Sequence, residues 1–326
     1  MPRKLKKFRP SVDIVIPVLN EVGVVEQTHE HLRTVVDRLP YDFSFLYVDD
    51  GSDDGTADRL DLLAQKDPRV HVIEFSRNFG HQAALSAGLD AARSEVVITM
   101  DADGQHPPEM IQPMLDLVAQ GYDIVQTQRM ESDQGFSLKN WSSSAFYKFI
   151  NLISGTHMTS GAADFRAMAR QSVEALKSMP EYHRFLRGMV AWVGFKTVIL
   201  PYHEPKRMSG KSKYSFGKMI RLASDAIFSF SLAPLYIGLS AGGIFFLLAL
   251  AELIYVLVLW LTGQSAKIVP GWSSVVSIVL ISSGILMILL GFIGVYVGYI
   301  FQEVKRRPLY LVRKRRSPVR KTKRGG

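Results

Sequence analysis

The chain has no cysteine among its 326 residues. Disulfides, thiolate nucleophiles and cysteine-ligated metals are therefore excluded, and a reducing compartment is compatible with the composition. The eight histidines show no spacing that makes a metal constellation, and His81 and His106 are read as capping or packing residues. A basic stripe on the folded part is also missing. Residues 305–326 hold eleven Lys and Arg and no acid, against a total of +9, which leaves −2 for everything else. That argues against nucleic-acid binding by the fold, whereas a basic tail beside a membrane segment suits anionic lipid. Arg3, Lys4, Lys6, Lys7 and Arg9 look like the start of a secretion signal. The run after them is short, carries Asp13 and is broken by Pro17, so no signal peptide is predicted.

What is present divides at about residue 230. Before it, short β-branched runs (12–16, 43–48, 70–75, 95–100 and 123–127) alternate with amphipathic stretches (22–38, 56–65, 82–92 and 109–120). That alternation predicts an α/β fold with a mainly parallel sheet and helices on both faces. Ligands of such sheets bind beyond the carboxyl ends of the strands. The polar clusters fall there: Asn20-Glu21, Asp49-Asp50, Arg77-Asn78 and Asp101 to Asp103.

Residues 232–261 and 275–301 are each long and apolar enough to cross a hydrocarbon core, which takes about 20 residues. Lys267 is the one charge in the loop between them, so the positive-inside rule predicts both termini in the cytoplasm. Glu252 lies within the first span and is costly if it faces lipid. Two further stretches, 141–153 and 219–230, carry apolar residues at i, i+4; they suit core-facing helices, and the second, just before a span, also suits a helix lying in the interface. The predicted organisation is a cytosolic domain over 1–214, an interfacial amphipathic helix over 215–231, two transmembrane helices within 232–301 and a basic cytosolic tail over 302–326. Gly294-Val-Tyr-Val-Gly298 is a small-xxx-small face that fits either a homo-oligomer or packing on the first span.

Among residues able to do chemistry, Asp101-Ala-Asp103 after an apolar strand is foremost. Two carboxylates at a strand end beside Gly104 suit Mg²⁺ or Mn²⁺, which take one or two carboxylates plus substrate phosphate oxygens. Asp103 also suits a polar cap ahead of Pro107-Pro108. In Asp49-Asp50-Gly51-Ser52-Asp53-Asp54-Gly55-Thr56, the later residues read as a turn and helix cap, leaving Asp50 as a ligand candidate. Arg129, Arg166, Arg207 and Lys213 are candidate cations for a phosphate, although Arg129 equally suits a solvated surface.

Taken in order, Ile14-Val-Ile-Pro17-Val-Leu-Asn20-Glu21, Val48-Asp-Asp50-Gly-Ser-Asp-Asp-Gly-Thr56, Ser76-Arg-Asn-Phe-Gly80 and Asp101-Ala-Asp103-Gly-Gln resemble the family 2 glycosyltransferases of GT-A fold. Within that family the chain is similar to the polyprenyl-phosphate glycosyltransferases, among them dolichyl-phosphate mannose synthase and, given two C-terminal spans, the bacterial bactoprenol glucosyltransferases. The resemblance implies that Pro17, Glu21 and Asp50 line the nucleotide pocket, with Asn20 and Arg77 beside them. It implies that Asp101 and Asp103 meet the donor diphosphate and its metal. Asp164 to Arg166 matches a segment near the reacting centre, and Arg207, Ser212 and Lys213 match a basic loop closing over phosphates. Processive members carry Gln-x-x-Arg-Trp; the nearest string here is Tyr182-His-Arg-Phe185, which favours transfer of a single sugar.

The expected enzyme is a metal-dependent, inverting transferase on the cytosolic face of the cell membrane. It moves glucose from UDP-glucose to a polyprenyl phosphate such as undecaprenyl phosphate. GDP-mannose or UDP-aminoarabinose as donor, or a non-catalytic membrane scaffold or flippase component, are the alternatives; the intact acid pair counts against the last.

Overall fold

The computed structural model describes residues 9–130, 162–182, 184–203, 233–263 and 271–316. The expected helices at 141–153 and 219–230, and Arg207, Ser212 and Lys213, lie outside them. The chain divides into two compact units, one of Met1–Met219 with Pro308–Gly326 and one of Ile220–Arg307.

The first unit is built on one eight-stranded sheet. Its strands are β1 (Ser11–Val18), β2 (Asp42–Asp49), β3 (Val70–Phe75), β4 (Val96–Thr99), β5 (Ile124–Met130), β6 (Ala162–Ala169), β7 (Thr197–His203) and β8 (Val312–Arg316). They lie in the order β7-β5-β6-β4-β1-β2-β3-β8. β1 pairs in parallel with β2 and β4, β2 with β3, and β5 with β7. β6 runs antiparallel between β4 and β5. The parallel reading thus holds for the strands it named, and an antiparallel strand not anticipated from the sequence is wedged into the middle.

β1 is buried from Val12 to Val18, as expected of a central parallel strand covered on both faces. Val12, Ile14, Ile16 and Val18 pack with Phe43, Phe45 and Tyr47 of β2 in the main core. Helices α1 (Val25–Val36) and α2 (Thr56–Lys66) bury Val25, Leu32, Leu60 and Leu63 there, at the spacing of a helix face. Helix α3 (His81–Ala91) lies against β1 through Gly88, where an added Cβ would come 2.1 Å from Val15 Cγ1. Asp13, although buried, accepts from Arg93 N (2.6 Å) and Ser94 N (2.8 Å) and so fixes the turn from α3 into β4. A 3₁₀ turn (Pro108–Met110) and helices α4 (Ile111–Ala119), α5 (Arg170–Ser178) and α6 (Leu186–Trp192) complete this unit.

Part of the segment expected as a basic tail over 302–326 forms strand β8. Its residues pair antiparallel with β3, Phe75 opposite Val312 and Glu74 opposite Lys314. Lys and Arg on an outermost strand discourage edge-to-edge association, so a basic composition suits this place.

The second unit contains α7 (Ala233–Leu261) and α8 (Trp272–Lys305), within three or four residues of the bounds expected for the two apolar segments. They meet closely where Gly238 faces Leu289. At Gly294 and Gly298 an added Cβ would meet nothing within 4 Å, so that small-residue face is not where the two helices touch. Among the described residues, one stretch, Ile281–Lys305, is long and apolar enough to cross a membrane, with a mean hydropathy of 2.3.

Candidate active site

The carboxyl ends of β1 to β5 share one edge of the sheet, and β6, running the other way, begins there. The loops after β1 and β2 are stapled together. Asn20 takes a left-handed conformation (φ 55°), which Asn tolerates better than most residues. Its side chain donates to Asp53 Oδ1 (2.8 Å) and accepts from Asp53 N (3.0 Å). Glu21 N donates to Thr56 Oγ1 (2.9 Å) and Val22 N to Asp54 Oδ2 (3.2 Å). Pro17 is buried in β1 and Glu21 half-buried beside the staple.

Asp50 is not the open ligand that the sequence led us to expect. It is 2% exposed, and its Oδ1 accepts from Phe79 N (2.7 Å) and Gly80 N (3.1 Å). Burial pushes its pKa up against the pull of those two amides. Asp50 therefore holds the loop after β3 in place. Gly51 completes the fit: with φ at +73°, an added Cβ there would come 2.5 Å from the Arg77 carbonyl carbon. Arg77 itself is exposed, its guanidinium 4.0 Å from the Phe79 ring centroid.

Asp101 and Asp103 follow β4. Asp101 is about one-third exposed at 34%, and Asp103 is half-buried with Oδ1 accepting from Gln105 N (3.0 Å). Two anchors hold their loop: Thr28 Oγ1 of α1 donates to Ala102 O (3.0 Å), and Asp101 N donates to His106 Nδ1 (2.8 Å). That bond requires an unprotonated Nδ1 and so fixes the tautomer of His106. Burial keeps the His106 pKa low despite the nearby Asp101 and Asp103 carboxylates. The ring is packed, as the sequence reading had it, stacked on Phe165 at 4.9 Å.

His81 departs from that reading. Its Nε2 lies 3.6 Å from Asp101 Oδ1 and 3.6 Å from Asp164 Oδ2. Packing opposes a charge on the ring, but the Asp101 and Asp164 carboxylates outweigh it and raise the pKa to about 9. The side chain is 43% exposed, so solvent screening tempers that pull. The two carboxylates thus favour an imidazolium at this edge.

Behind it lies a buried ionic cluster. Successive side chains of a strand alternate between faces, so Asp164 and Arg166 of β6 fall on the same one, and Arg166 Nη2 donates to Asp164 Oδ1 (2.7 Å). Arg187 of α6 closes on the same carboxylate, Nε to Oδ1 (3.0 Å) and Nη2 to Oδ2 (2.8 Å). Burial disfavours the Asp164 anion, yet Arg187, His81 and Arg166 together hold its pKa well below the usual carboxylate range. Two expectations change here. Arg166, 3% exposed and committed to Asp164, is not placed to hold an acceptor phosphate. Asp164 is 5% exposed, with His81 against its Oδ2 at 3.6 Å. Arg187 was missed, although an arginine inside the apolar run Phe185–Val190 signals a buried partner. Arg129, near the end of β5, is exposed, and its charge contributes to lowering the His106 pKa.

Asp101 and Asp103, two part-exposed carboxylates one residue apart, are the hard oxygen donors that a divalent cation takes together with substrate phosphate oxygens. Comparisons with known proteins agree with the motifs. Residues 13–176 match the model of glycosyl transferase family 2. The uncharacterized glycosyltransferase YkcC of Bacillus subtilis is 37% identical over 302 residues, 92% of this chain and 93% of that protein. Bactoprenol glucosyl transferase of Shigella phage SfII is 35% identical over 307 residues, 93% and 97% of the two chains. Among solved structures, mannosyl-3-phosphoglycerate synthase from Rubrobacter xylanophilus overlaps 66% of this chain and 71% of its own at 18% identity and a TM-score of 0.48. With half its length inside the family model and such relatives covering nine-tenths of it, the chain belongs to the family 2 glycosyltransferases.

Proposed function

We propose that this glycosyltransferase moves one glucose from UDP-glucose to a polyprenyl phosphate at the cytosolic membrane face, with inversion at the sugar carbon. The observation that carries the reading is the acid pair Asp101 and Asp103, braced by Thr28 and His106 at the open carboxyl edge of the sheet. The names of relatives such as bactoprenol glucosyl transferase support glucose and a polyprenyl acceptor. Asp101 and Asp103 would hold Mg²⁺ or Mn²⁺, which offsets the charge that develops on the departing diphosphate.

The residues of the chain divide the remaining work. Pro17, Asn20 and Glu21 shape the nucleotide side, Asp50 positions the Arg77–Gly80 loop, and Arg77 faces the donor. Arg129, with Arg207, Ser212 and Lys213 from the following basic loop, receives the acceptor phosphate. A phosphate monoester with a second pKa of about 6 is already largely dianionic at neutral pH. One of its oxygens forms the new bond to the sugar carbon as the bond to the diphosphate oxygen breaks, and no proton need move. The chain therefore supplies orientation and charge rather than an obligatory base. Asp164 keeps His81 beside Asp101.

We place both α7 and α8 across the cell membrane, with residues 1–214 on the cytosolic side, the 215–231 segment in the interface and anionic lipid drawn to the basic residues after Arg316. The open Gly294 and Gly298 face of α8 suits a second copy of the chain. The deciding experiment incubates purified protein with a panel of nucleotide sugars and undecaprenyl phosphate, with product identified by mass and anomeric configuration. Glucosyl lipid formed from UDP-glucose alone, and lost in excess chelator, is expected. Turnover of another donor, or none, would overturn the reading.

A further inference from the structure

We propose that Tyr310 and strand β8 are positioning elements of the donor site, so that a stretch of the chain beyond α8 sets donor affinity. The inference rests on the reading of Arg77–Gly80 as part of that site. Three contacts carry it. Ser76 N donates to Leu311 O (2.9 Å), which ties the first residue of the loop to the start of β8. The Tyr310 ring lies nearly parallel to Phe75 (5.0 Å, 12°), Phe75 meets Phe79 edge-on at 5.7 Å, and Phe79 carries the Arg77 guanidinium at 4.0 Å. A continuous row of rings thus runs from the segment after α8 to the exposed cation at the site. Tyr310 OH also donates to Asp90 Oδ2 (3.0 Å) on α3, the helix whose first residue is His81.

Charge holds β8 near both of its ends. Arg313 pairs with Glu74 at 3.5 Å and Arg316 contacts Asp61 of α2. β3, β8, Asp50 and Gly51 together grip the loop from three sides. Removing the ring of Tyr310 frees one of those sides, and its contacts given above, Phe75 and Asp90, include neither Asp101 nor Asp103.

The test uses the full chain in nanodiscs containing anionic lipid. UDP-glucose binding is titrated without acceptor, and KM for each substrate, kcat and thermal melting are recorded. Tyr310→Ala is expected to raise the donor Kd and donor KM about three- to tenfold, the scale of a lost aromatic contact, with acceptor KM and melting near wild type. Tyr310→Phe, which keeps the ring, should restore donor binding. Deletion of 317–326, which removes four basic residues and keeps β8, should leave donor affinity unchanged. Should Tyr310→Ala fail to fold, Tyr310→Leu retains apolar volume without the ring and carries the same expectation. Unchanged donor affinity in a folded ring-less variant, an equal rise in both KM values, or a donor defect from the 317–326 deletion would each overturn the proposal. A wild-type protein that binds no UDP-glucose would instead remove the donor reading, and this inference with it.

Discussion

At the scale of single residues, function and stability separate cleanly around Asp101 and Asp164, two carboxylates joined through one imidazole. Asp101 is open and Asp164 buried. Asp101→Asn and Asp103→Asn keep shape and remove charge from the phosphate side. Each is expected to cost several kcal/mol of transition-state stabilisation, about two to three orders of magnitude in kcat/KM. Melting is expected to be unchanged for Asp103→Asn and somewhat lowered for Asp101→Asn, which gives up the carboxylate beside His81. Full turnover in either variant contradicts the metal assignment. Asp164→Asn removes the buried carboxylate that Arg166 and Arg187 share. Breaking a buried ion pair costs about 3–5 kcal/mol, so a fall in melting temperature of roughly 6–20 °C is expected for a domain of this size. Normal melting and normal substrate binding with lost turnover would instead make Asp164 a general base. The pH behaviour has a definite sign. The folded pKa of His81 is raised to about 9 from an ordinary value near 6.5. Its contribution is therefore fully present below about pH 6.5 and lost as pH rises through 9. Chemical denaturation of the donor-free, metal-free protein should show that decline, and His81→Gln should remove it. Asp164 has the opposite sense: its contribution is present above the ordinary carboxylate pKa and disappears as acid approaches the depressed folded value.

Among the elements, what was legible in the sequence and what was not divide by where the partner lies. β1 to β5 and the helices between them announce themselves because each carries its own period and is followed by a turn rich in Gly, Asp or Asn. β6 does not. Ala162–Ala169 is short in β-branched residues and carries Asp164 and Arg166, two charges that look unsuited to a central strand until they are seen to satisfy each other on one face. β8, written Val-Arg-Lys-Arg-Arg, reads as a tail because an edge strand needs no apolar alternation. The site followed the same rule. Motifs confined to one loop located the acid pair and the staple, whereas Arg187 and the linking place of His81 depend on α6 and α3 meeting β6 and could not be read locally. Close packing of elements gives a further test. Gly88→Val would drive α3 away from Val15 at a point where even a methyl group does not fit. Overpacking of this kind costs about 1–3 kcal/mol, and the expected readout is a lower melting temperature with a shifted donor KM, since His81 opens the same helix. Unchanged melting would show that α3 yields without strain.

For the molecule as a whole, the split between an α/β part of about 230 residues and a shorter apolar part over 232–301 is plain from composition, as is the concentration of basic charge at the end. The absence of cysteine makes the proposed topology directly measurable. Single replacements Ser178→Cys, exposed at the end of α5, and Ser265→Cys, between the two long helices, give one label site each. In intact cells an impermeant maleimide should modify the second and spare the first. The reverse pattern, or labelling of both from outside, refutes the cytosolic placement.

The pairing of β3 with β8 also has a consequence in time. Phe75 and its partner Val312 are 237 positions apart, and synthesis proceeds at about 5–20 residues per second. For on the order of 10–50 s, the nascent sheet presents β3 as an open border, with the amide and carbonyl groups that face away from β2 unclaimed. That is a template for a neighbouring nascent chain, and Glu74 and His71 along β3 are the polar residues that can discourage such a match. β8 is the strand that ends this exposure, so the yield of folded enzyme depends on its emergence from the ribosome.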